Sequence, residues 1–386
     1  MVDPQQLRRD PDRPYVFKSP LKAKLMGFLD FWGVFFHGSE APIDWNRVRR
    51  IAVLRLDHVG DVLLAFPVLT ALERALPKSR IDLFVGPWSK DLVPLSGSKA
   101  GIQVFSAPWF ERQGKPRPAS VAVKELAERL REGDYDVAID LRGDLRHIQA
   151  MKKAGIPVRI GQVRGGGVFW LTHPVAFRPG QHEVDRNLDL LAQMGLGTGA
   201  SDREPHLHFG REQEEEAQKT MDGLGLKGPF IVLHATCLAS AKRWPEDRWR
   251  ELVAGMPEDT EWVVIGAGGE QADAERIFGP VARKVVLATG KFSLPALAAF
   301  LKKARLFIGV DSAPAHLAAA VGTPVVSLFS GTNKAAQWAP RGPRVTVLQK
   351  SPACSPCELL ECPVGHECME GIGVPEVLEL ARKKLS

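Results

Sequence analysis

The stretch ARLFIGVDSAPAHLAAAVGTPVVSLF, residues 304–329, decides how the chain is read. LFIGV is an apolar run of strand length. Asp311-Ser312 follows as a turn, and Pro314 suits the first turn of a helix. Ala318, Ala319 and Ala320 let that helix lie close to a sheet, and Gly322 stops it before TPVVSLF returns as a second strand. Strand, helix and strand in this space form a parallel βαβ unit. The helix N-terminus offers free N–H groups and a positive dipole end, which suits an anion. His316 falls in the first turn and suits either that anion or packing between helix and sheet.

The same rhythm extends outward on both sides. PFIVLHA (229–235), EWVVIGAGG (261–269) and KVVLAT (284–289) read as strands around the helix RWPEDRWRELVAGM (243–256). Earlier, RRIAVLRL (49–56), RIDLFV (80–85) and DVAIDL (136–141) read as strands, with helices predicted over 60–76 and 121–132. Between the two series lies REQEEEAQKTMDGLGLKG, a charged helix with a Gly-rich turn, which marks a boundary. The expectation is α/β: a basic N-terminal extension (1–46), two doubly wound domains (47–215 and 216–350) and a cysteine-rich end (351–386).

A chain of 386 residues suits two domains. Five cysteines exclude a disulfide-built scaffold. No apolar run reaches the 18 or so residues of a membrane span. The N-terminus lacks a signal-peptide layout, which predicts a cytoplasmic protein. The net charge of +6 points to an anionic partner without choosing among nucleic acid, lipid and phosphorylated small molecules. Residues 21–36, LKAKLMGFLDFWGVFF, form an amphipathic helix on the wheel, with Leu25, Phe28, Leu29 and Trp32 on the apolar face and Asp30 opposite. Such a helix suits packing on the main body or lying on a membrane surface.

Candidate chemistry clusters at strand-to-helix turns, where open parallel sheets bind ligands. In LRLDHVGDVLLAFPVL (54–69), Gly60 permits a tight turn and Asp61 opens the helix, as a cap or as a proton acceptor. In LHATCLASAKRWPEDRW (233–249), Thr236, Ser240 and Lys242 suit phosphate oxygens. In VVIGAGGEQADAERI (263–277), Gly266, Gly268 and Gly269 admit close backbone approach, and Glu270 suits ribose hydroxyls. This is not a GxGxxG fingerprint. DYD (134–136) precedes an apolar run and reads as strand entry, not as a metal motif. Arg142, Arg146, Lys152, Lys153, Arg159 and Arg164 make residues 141–165 basic. Cys354, Cys357, Cys362 and Cys368, with His366 nearby, form a candidate site for structural zinc or iron–sulfur; free thiols or local disulfides are the alternatives. Cys237 stands apart and reads as a packing residue.

The blocks around Gly60-Asp61, Lys242-Arg243-Trp244-Pro245 and Asp311-Ser312-Ala313-Pro314-Ala315-His316 together resemble the ADP-heptose:lipopolysaccharide heptosyltransferases of glycosyltransferase family 9. The resemblance implies a GT-B fold, two Rossmann-like domains facing across a cleft. It implies an inverting transfer that needs no cofactor, with Asp61 as general base and Lys242 as catalytic cation. It assigns Thr236, Lys242, Glu270, Asp311, Ser312, Ala313 and His316 to an ADP-heptose donor. It assigns the acceptor, an anionic lipid A-linked glycolipid, to the N-terminal domain, where Arg142, Arg146 and Arg164 suit its charge. The family often has Thr-Gly where this chain has Ser312-Ala313. The helix N-terminus beside Asp61 predicts a lowered pKa. Alternatives are another nucleotide sugar for O-antigen or a different surface glycan, a nucleotide-sugar epimerase, and a nucleic-acid-binding protein with a four-cysteine metal module. The spread of basic residues disfavours nucleic acid.

Overall fold

The computed structural model describes residues 24–30, 32, 41–111, 117–178, 180–281 and 285–386. The chain divides into two compact units, Met1–Arg203 and Glu204–Ser386. In the first, β1 (Arg50–Leu54), β2 (Arg80–Val85), β3 (Gly101–Val104), β4 (Val137–Asp140), β5 (Val158–Gln162) and β6 (His173–Val175) form one sheet. Its order is β3-β2-β1-β4-β5-β6, with every neighbouring pair parallel.

The second unit repeats the plan. β7 (Phe230–His234), β8 (Glu261–Val264), β9 (Val285–Leu287), β10 (Leu306–Val310), β11 (Val325–Phe329) and β12 (Val345–Gln349) are ordered β12-β11-β10-β7-β8-β9. Each unit therefore has the 3-2-1-4-5-6 order of dinucleotide-binding sheets, with a topological switch point between its first and fourth strands. That point lies between β1 and β4 in one unit and between β7 and β10 in the other.

The central strands are apolar throughout because helices cover both faces. Ile51, Ala52, Val53 and Leu54 are fully buried, as are Phe307, Ile308 and Val310. The helix predicted over 60–76 is two helices, Val59–Leu63 and Phe66–Ala75. Pro67 causes the break, since it has no N–H to continue the ladder and suits only a first turn. The charged helix Arg211–Gly223 belongs wholly to the second unit. It packs on Leu294–Lys303, with Lys303 donating to Gln218 at 2.9 Å. The division at Arg203/Glu204 thus falls ahead of the expected 215/216. The C-terminal helix Val374–Leu385 is core: Val377 and Ala381 join Trp249 and Trp262 in one cluster.

The N-terminal helix turns its faces the opposite way from a packed amphipathic helix. Asp30 is buried and accepts the N–H groups of Gly167 (2.9 Å) and Val168 (3.1 Å), while Leu25, Phe28, Leu29 and Trp32 stay exposed. The rest of 21–36, including Leu21, Lys22 and Phe35, lies outside the described residues. Among the described residues no helix is long and apolar enough to cross a membrane.

Candidate functional site

Each switch point carries a cluster of polar side chains. In the first unit the chain leaves β1 as Arg55-Leu56-Asp57-His58 and enters the short helix Val59–Leu63. Asp61 lies in that first turn, and its Oδ2 accepts the His58 N–H at 3.2 Å. The N-cap is His58, not Asp61; Asp61 stands at the third helical position and reaches back to the N-cap N–H, and it also joins a buried ion network. Arg55, fully buried, points Nε at Asp57 Oδ1 (3.0 Å), Nη1 at Glu183 Oε1 (2.9 Å) and Nη2 at Asp61 Oδ1 (3.3 Å). Arg142, leaving β4, donates to Asp57 Oδ2 at 2.5 Å, and Arg186 donates to Glu183 Oε2 at 2.6 Å.

This network reverses the expected pKa of Asp61. Burial, then the Asp57 carboxylate, pushes Asp61 up to about 7, against the pull of Arg55 and Arg142; Glu183 adds to the rise. The helix is too short, and the carboxylates too close, for its dipole to dominate. Against burial, Arg55 and Arg142 hold Asp57 below the ordinary carboxylate range. Against burial, Arg55 and Arg186 do the same for Glu183. The Asp61 side chain keeps 16 % exposure, whereas Asp57 has none and Glu183 has 2 %, so Asp61 is the carboxylate of the network open to a ligand.

An aromatic group lies beside it. The His58 ring is 6.4 Å from Trp88 and 6.1 Å from Phe110, and Trp88 donates to the Asp57 carbonyl at 2.5 Å. Arg142 lies over Phe110 (4.6 Å) and Arg146 over Trp109 (4.4 Å). The arginines expected to form an open basic patch are engaged internally: Arg142 with Asp57, Arg146 with Asp144 through two nitrogens, and Arg164 over Phe177 at 5.1 Å. Asp57 lies 85 positions from Arg142 along the chain, too far for composition to show the pairing. The Asp136 carboxylate accepts the Arg49 and Arg50 N–H groups, in keeping with strand entry.

In the second unit, β7 leads into Thr236 and Lys242, and β10 into Asp311 and Ser312. Lys242 Nζ donates to Asp311 Oδ2 at 2.5 Å, and Asn333 Nδ2 donates to the same oxygen at 2.8 Å. Asp311 therefore fixes the ammonium. Ser312 occupies the N-cap of helix Ala313–Ala320 but does not cap it. Its hydroxyl is instead 3.0 Å from the Val310 carbonyl and 2.9 Å from His234 Nδ1. Burial lowers the His234 pKa to about 4, so that imidazole is neutral. The Thr236 hydroxyl is fully buried and has no hydrogen-bond partner among the described residues. His316 is buried in the first helical turn.

Glu270 Oε2 accepts the Ala267 N–H at 2.7 Å, which folds the loop after β8. A Cβ on Gly266 would stand 2.8 Å from Glu270 Oε2 and 3.0 Å from Thr236 Oγ1, so only glycine leaves this corner open.

The cysteine segment braces the Lys242 loop. The Ala241 N–H donates to the Leu360 carbonyl at 3.0 Å, and His366 Nε2 is 2.9 Å from the Ala241 carbonyl. The Cys357 and Glu358 N–H groups donate to the Gly331 and Thr332 carbonyls, just ahead of Asn333. Cys354, Cys357, Cys362 and Cys368 line one cavity of about 240 Å³. All are free thiols, and among the described residues no three His, Cys, Asp or Glu side chains are set to hold a metal ion. The zinc or iron–sulfur expectation finds no support in this geometry. The thiols have local partners instead: Cys362 donates to the Val364 carbonyl, and Gly331 and Met369 N–H groups point at the Cys368 sulfur. Burial raises the Cys237 thiol to about 11, which suits packing and not nucleophilic attack.

A family model described as glycosyltransferase family 9 (heptosyltransferase) matches residues 123–367. The chain belongs to glycosyltransferase family 9. It is therefore a glycosyltransferase. Lipopolysaccharide heptosyltransferase 3 of Escherichia coli K12 is 28 % identical over 289 residues, covering 71 % of this chain and 80 % of the relative. Lipopolysaccharide heptosyltransferase 1 of Pseudomonas aeruginosa is 28 % identical over 324 residues, covering 81 % and 87 %. Among solved structures, a family 9 glycosyltransferase from Veillonella parvula matches with TM-score 0.74 at 22 % identity, covering 87 % of this chain and 97 % of that one. ADP-heptose heptosyltransferase II of E. coli matches with TM-score 0.69 at 20 % identity, covering 87 % and 98 %. The fold is thus GT-B, as the two parallel six-stranded sheets indicate. Asp61 lies ahead of the stretch that the family model matches.

Sequence reasoning missed Arg55, Asp57, Glu183 and Arg186. Arg55 is embedded in an apolar strand-end run, where a buried charge is improbable a priori. Glu183 comes from a helix 128 positions further on. The one available signal was HEVDR (182–186), an acid–base pair three residues apart at a helix start.

Proposed function

We propose that this enzyme transfers heptose from ADP-heptose to the lipopolysaccharide inner core, inverting the anomeric configuration. The names of its relatives support the donor and acceptor class. One observation carries the mechanism: equivalent strand ends of the two sheets hold complementary chemistries. One has a carboxylate raised to about 7, and the other a fixed ammonium beside an uncapped helix N-terminus.

The acceptor glycolipid occupies the first unit and the nucleotide sugar the second. The acceptor hydroxyl attacks the anomeric carbon, and its proton passes to Asp61 as the new C–O bond forms. The bond to the diphosphate breaks, and ADP leaves with the electron pair. A base with pKa near 7 accepts this proton far better than an ordinary aspartate at about 3.9. Lys242 and the Ala313–Ala320 helix N-terminus stabilise the charge growing on the diphosphate, so protein groups serve where other enzymes use a metal ion. Thr236 gives its buried hydroxyl to a phosphate oxygen. Glu270 accepts from ribose hydroxyls, and Asp311 positions Lys242. Trp88 and Trp109, both only partly buried, provide aromatic surface for acceptor sugars. With this acceptor class, we read the enzyme as working at the cytoplasmic face of the inner membrane.

The test is transfer by the purified full chain from a panel of nucleotide sugars to inner-core acceptors, with products read by mass spectrometry. ADP-heptose is expected to be the productive donor. Transfer only from another nucleotide sugar would replace the heptose assignment, and release of a free sugar product without acceptor would indicate epimerase-type chemistry.

A further inference from the structure

Four of the ten exposed large hydrophobic residues among the described residues fall within positions 25–32: Leu25 is 59 % exposed, Phe28 60 %, Leu29 41 % and Trp32 44 %. Their spacing of i, i+3, i+4 and i+7 puts them on one helical face. A helix of a water-soluble protein buries such a face. Here the buried residue is Asp30, whose carboxylate accepts two backbone N–H groups of the Gly167-Val168 turn. The helix is held by its acid and presents its apolar stripe outward.

We propose that the helix carrying Leu25, Phe28, Leu29 and Trp32 is a docking element for an anionic lipid surface, with these four side chains entering the interface. Charge favours lipid over a second copy of the chain. Lys18, Lys22 and Lys24 flank the stripe in sequence, and the whole chain carries net +6. Aromatic and leucine side chains beside lysines are the composition of helices that lie in the headgroup region. The Gly167-Val168 turn that holds Asp30 begins three residues after Arg164, whose charge bears on Glu183 in the Asp61 network. The lipid-facing element and the proposed base therefore belong to one unit. The inference rests on the transferase reading for its purpose, delivery of a lipid-anchored acceptor, but not for its geometry.

Full-length protein is sedimented with vesicles of phosphatidylcholine alone and with phosphatidylcholine containing phosphatidylglycerol. Binding is expected to the anionic vesicles and to weaken with salt. The double variant Leu25→Glu/Phe28→Glu is expected to lose about ten-fold or more in partitioning. It should keep the parent's melting temperature and its transfer to a delipidated acceptor. Equal vesicle binding by parent and variant, or no binding by the parent, would overturn the proposal. So would parent self-association that the variant abolishes, which would assign the face to a second copy. The vesicle result stands whether or not ADP-heptose proves to be the donor, so the two readings fail separately.

Discussion

The two switch points occupy the same place in sheets of the same order, yet their electrostatics differ in kind. At β1/β4, three carboxylates meet Arg55, Arg142 and Arg186 in a network that is largely buried. One of those carboxylates, Asp61, is left able to hold a proton near neutrality. At β7/β10 the Lys242 ammonium is matched to Asp311, and the surroundings are hydroxyls, a neutral imidazole and, 3.9 Å from that imidazole, the Glu270 carboxylate. The comparison teaches that topology sets where a site forms, while the residues at the strand ends set whether it takes a proton or holds an anion.

The sharpest way to break this contrast is at Asp61. Asp61→Asn is expected to lower transfer roughly a thousandfold while ADP binding, measured by calorimetry, is retained. Its stability should move the other way. An acid whose folded pKa is raised penalises the native state increasingly from about pH 4 to about 7, and constantly above. The variant should therefore melt no lower than the parent at pH 8. Full activity would remove Asp61 from the mechanism.

On the other side of the comparison, Lys242→Ala is expected to lower kcat about a hundredfold, by removing the fixed cation at the leaving group. It also leaves Asp311 with Asn333 as its remaining donor, so weaker ADP binding should accompany the loss. An unchanged kcat would show that the ammonium serves only the fold.

The parent's kcat/KM should rise with pH through an acid limb near 7, because Asp61 must be ionised to accept a proton. Glu183→Gln should move that limb to lower pH, since Glu183 contributes to the raised pKa. It should also cost about 3–5 kcal/mol of stability, because Arg55 and Arg186 lose a buried partner. A limb that stays at pH 4 in the parent would mean that burial does not govern the base.

The smallest expected effect tests the brace under the second site. His366→Ala removes the bond to the Ala241 carbonyl and should raise the donor KM by about threefold, with kcat unchanged, the scale of one net hydrogen bond. A fall in kcat instead would place the cysteine segment closer to the chemistry.

Most of the central sheet was legible in the sequence. β1, β2, β4, β7, β8, β10 and β11 are apolar runs because both faces are covered. The strands that escaped reading, β3, β6 and β12, are edge strands that are short or half-exposed, and β5 carries Arg159 and Gln162. A half-buried strand needs less apolar sequence and so leaves a weaker pattern. Asp61, Thr236, Lys242 and Asp311 were legible for a related reason, because each follows an unmistakable strand.

By itself the sequence determined two doubly wound halves and the strand ends at which polar groups collect, because periodicity and turn residues are local properties. Only the tertiary structure decided the state of those groups. It brought Glu183 to Arg55, turned Asp61 from an acid of lowered pKa into one raised to about 7, and engaged Arg142, Arg146 and Arg164 with internal partners. It also turned Asp30 inward and the apolar stripe of its helix outward. The physical reason is common to all of these. Burial and charge pairing depend on which distant residues become neighbours, and no local pattern records that.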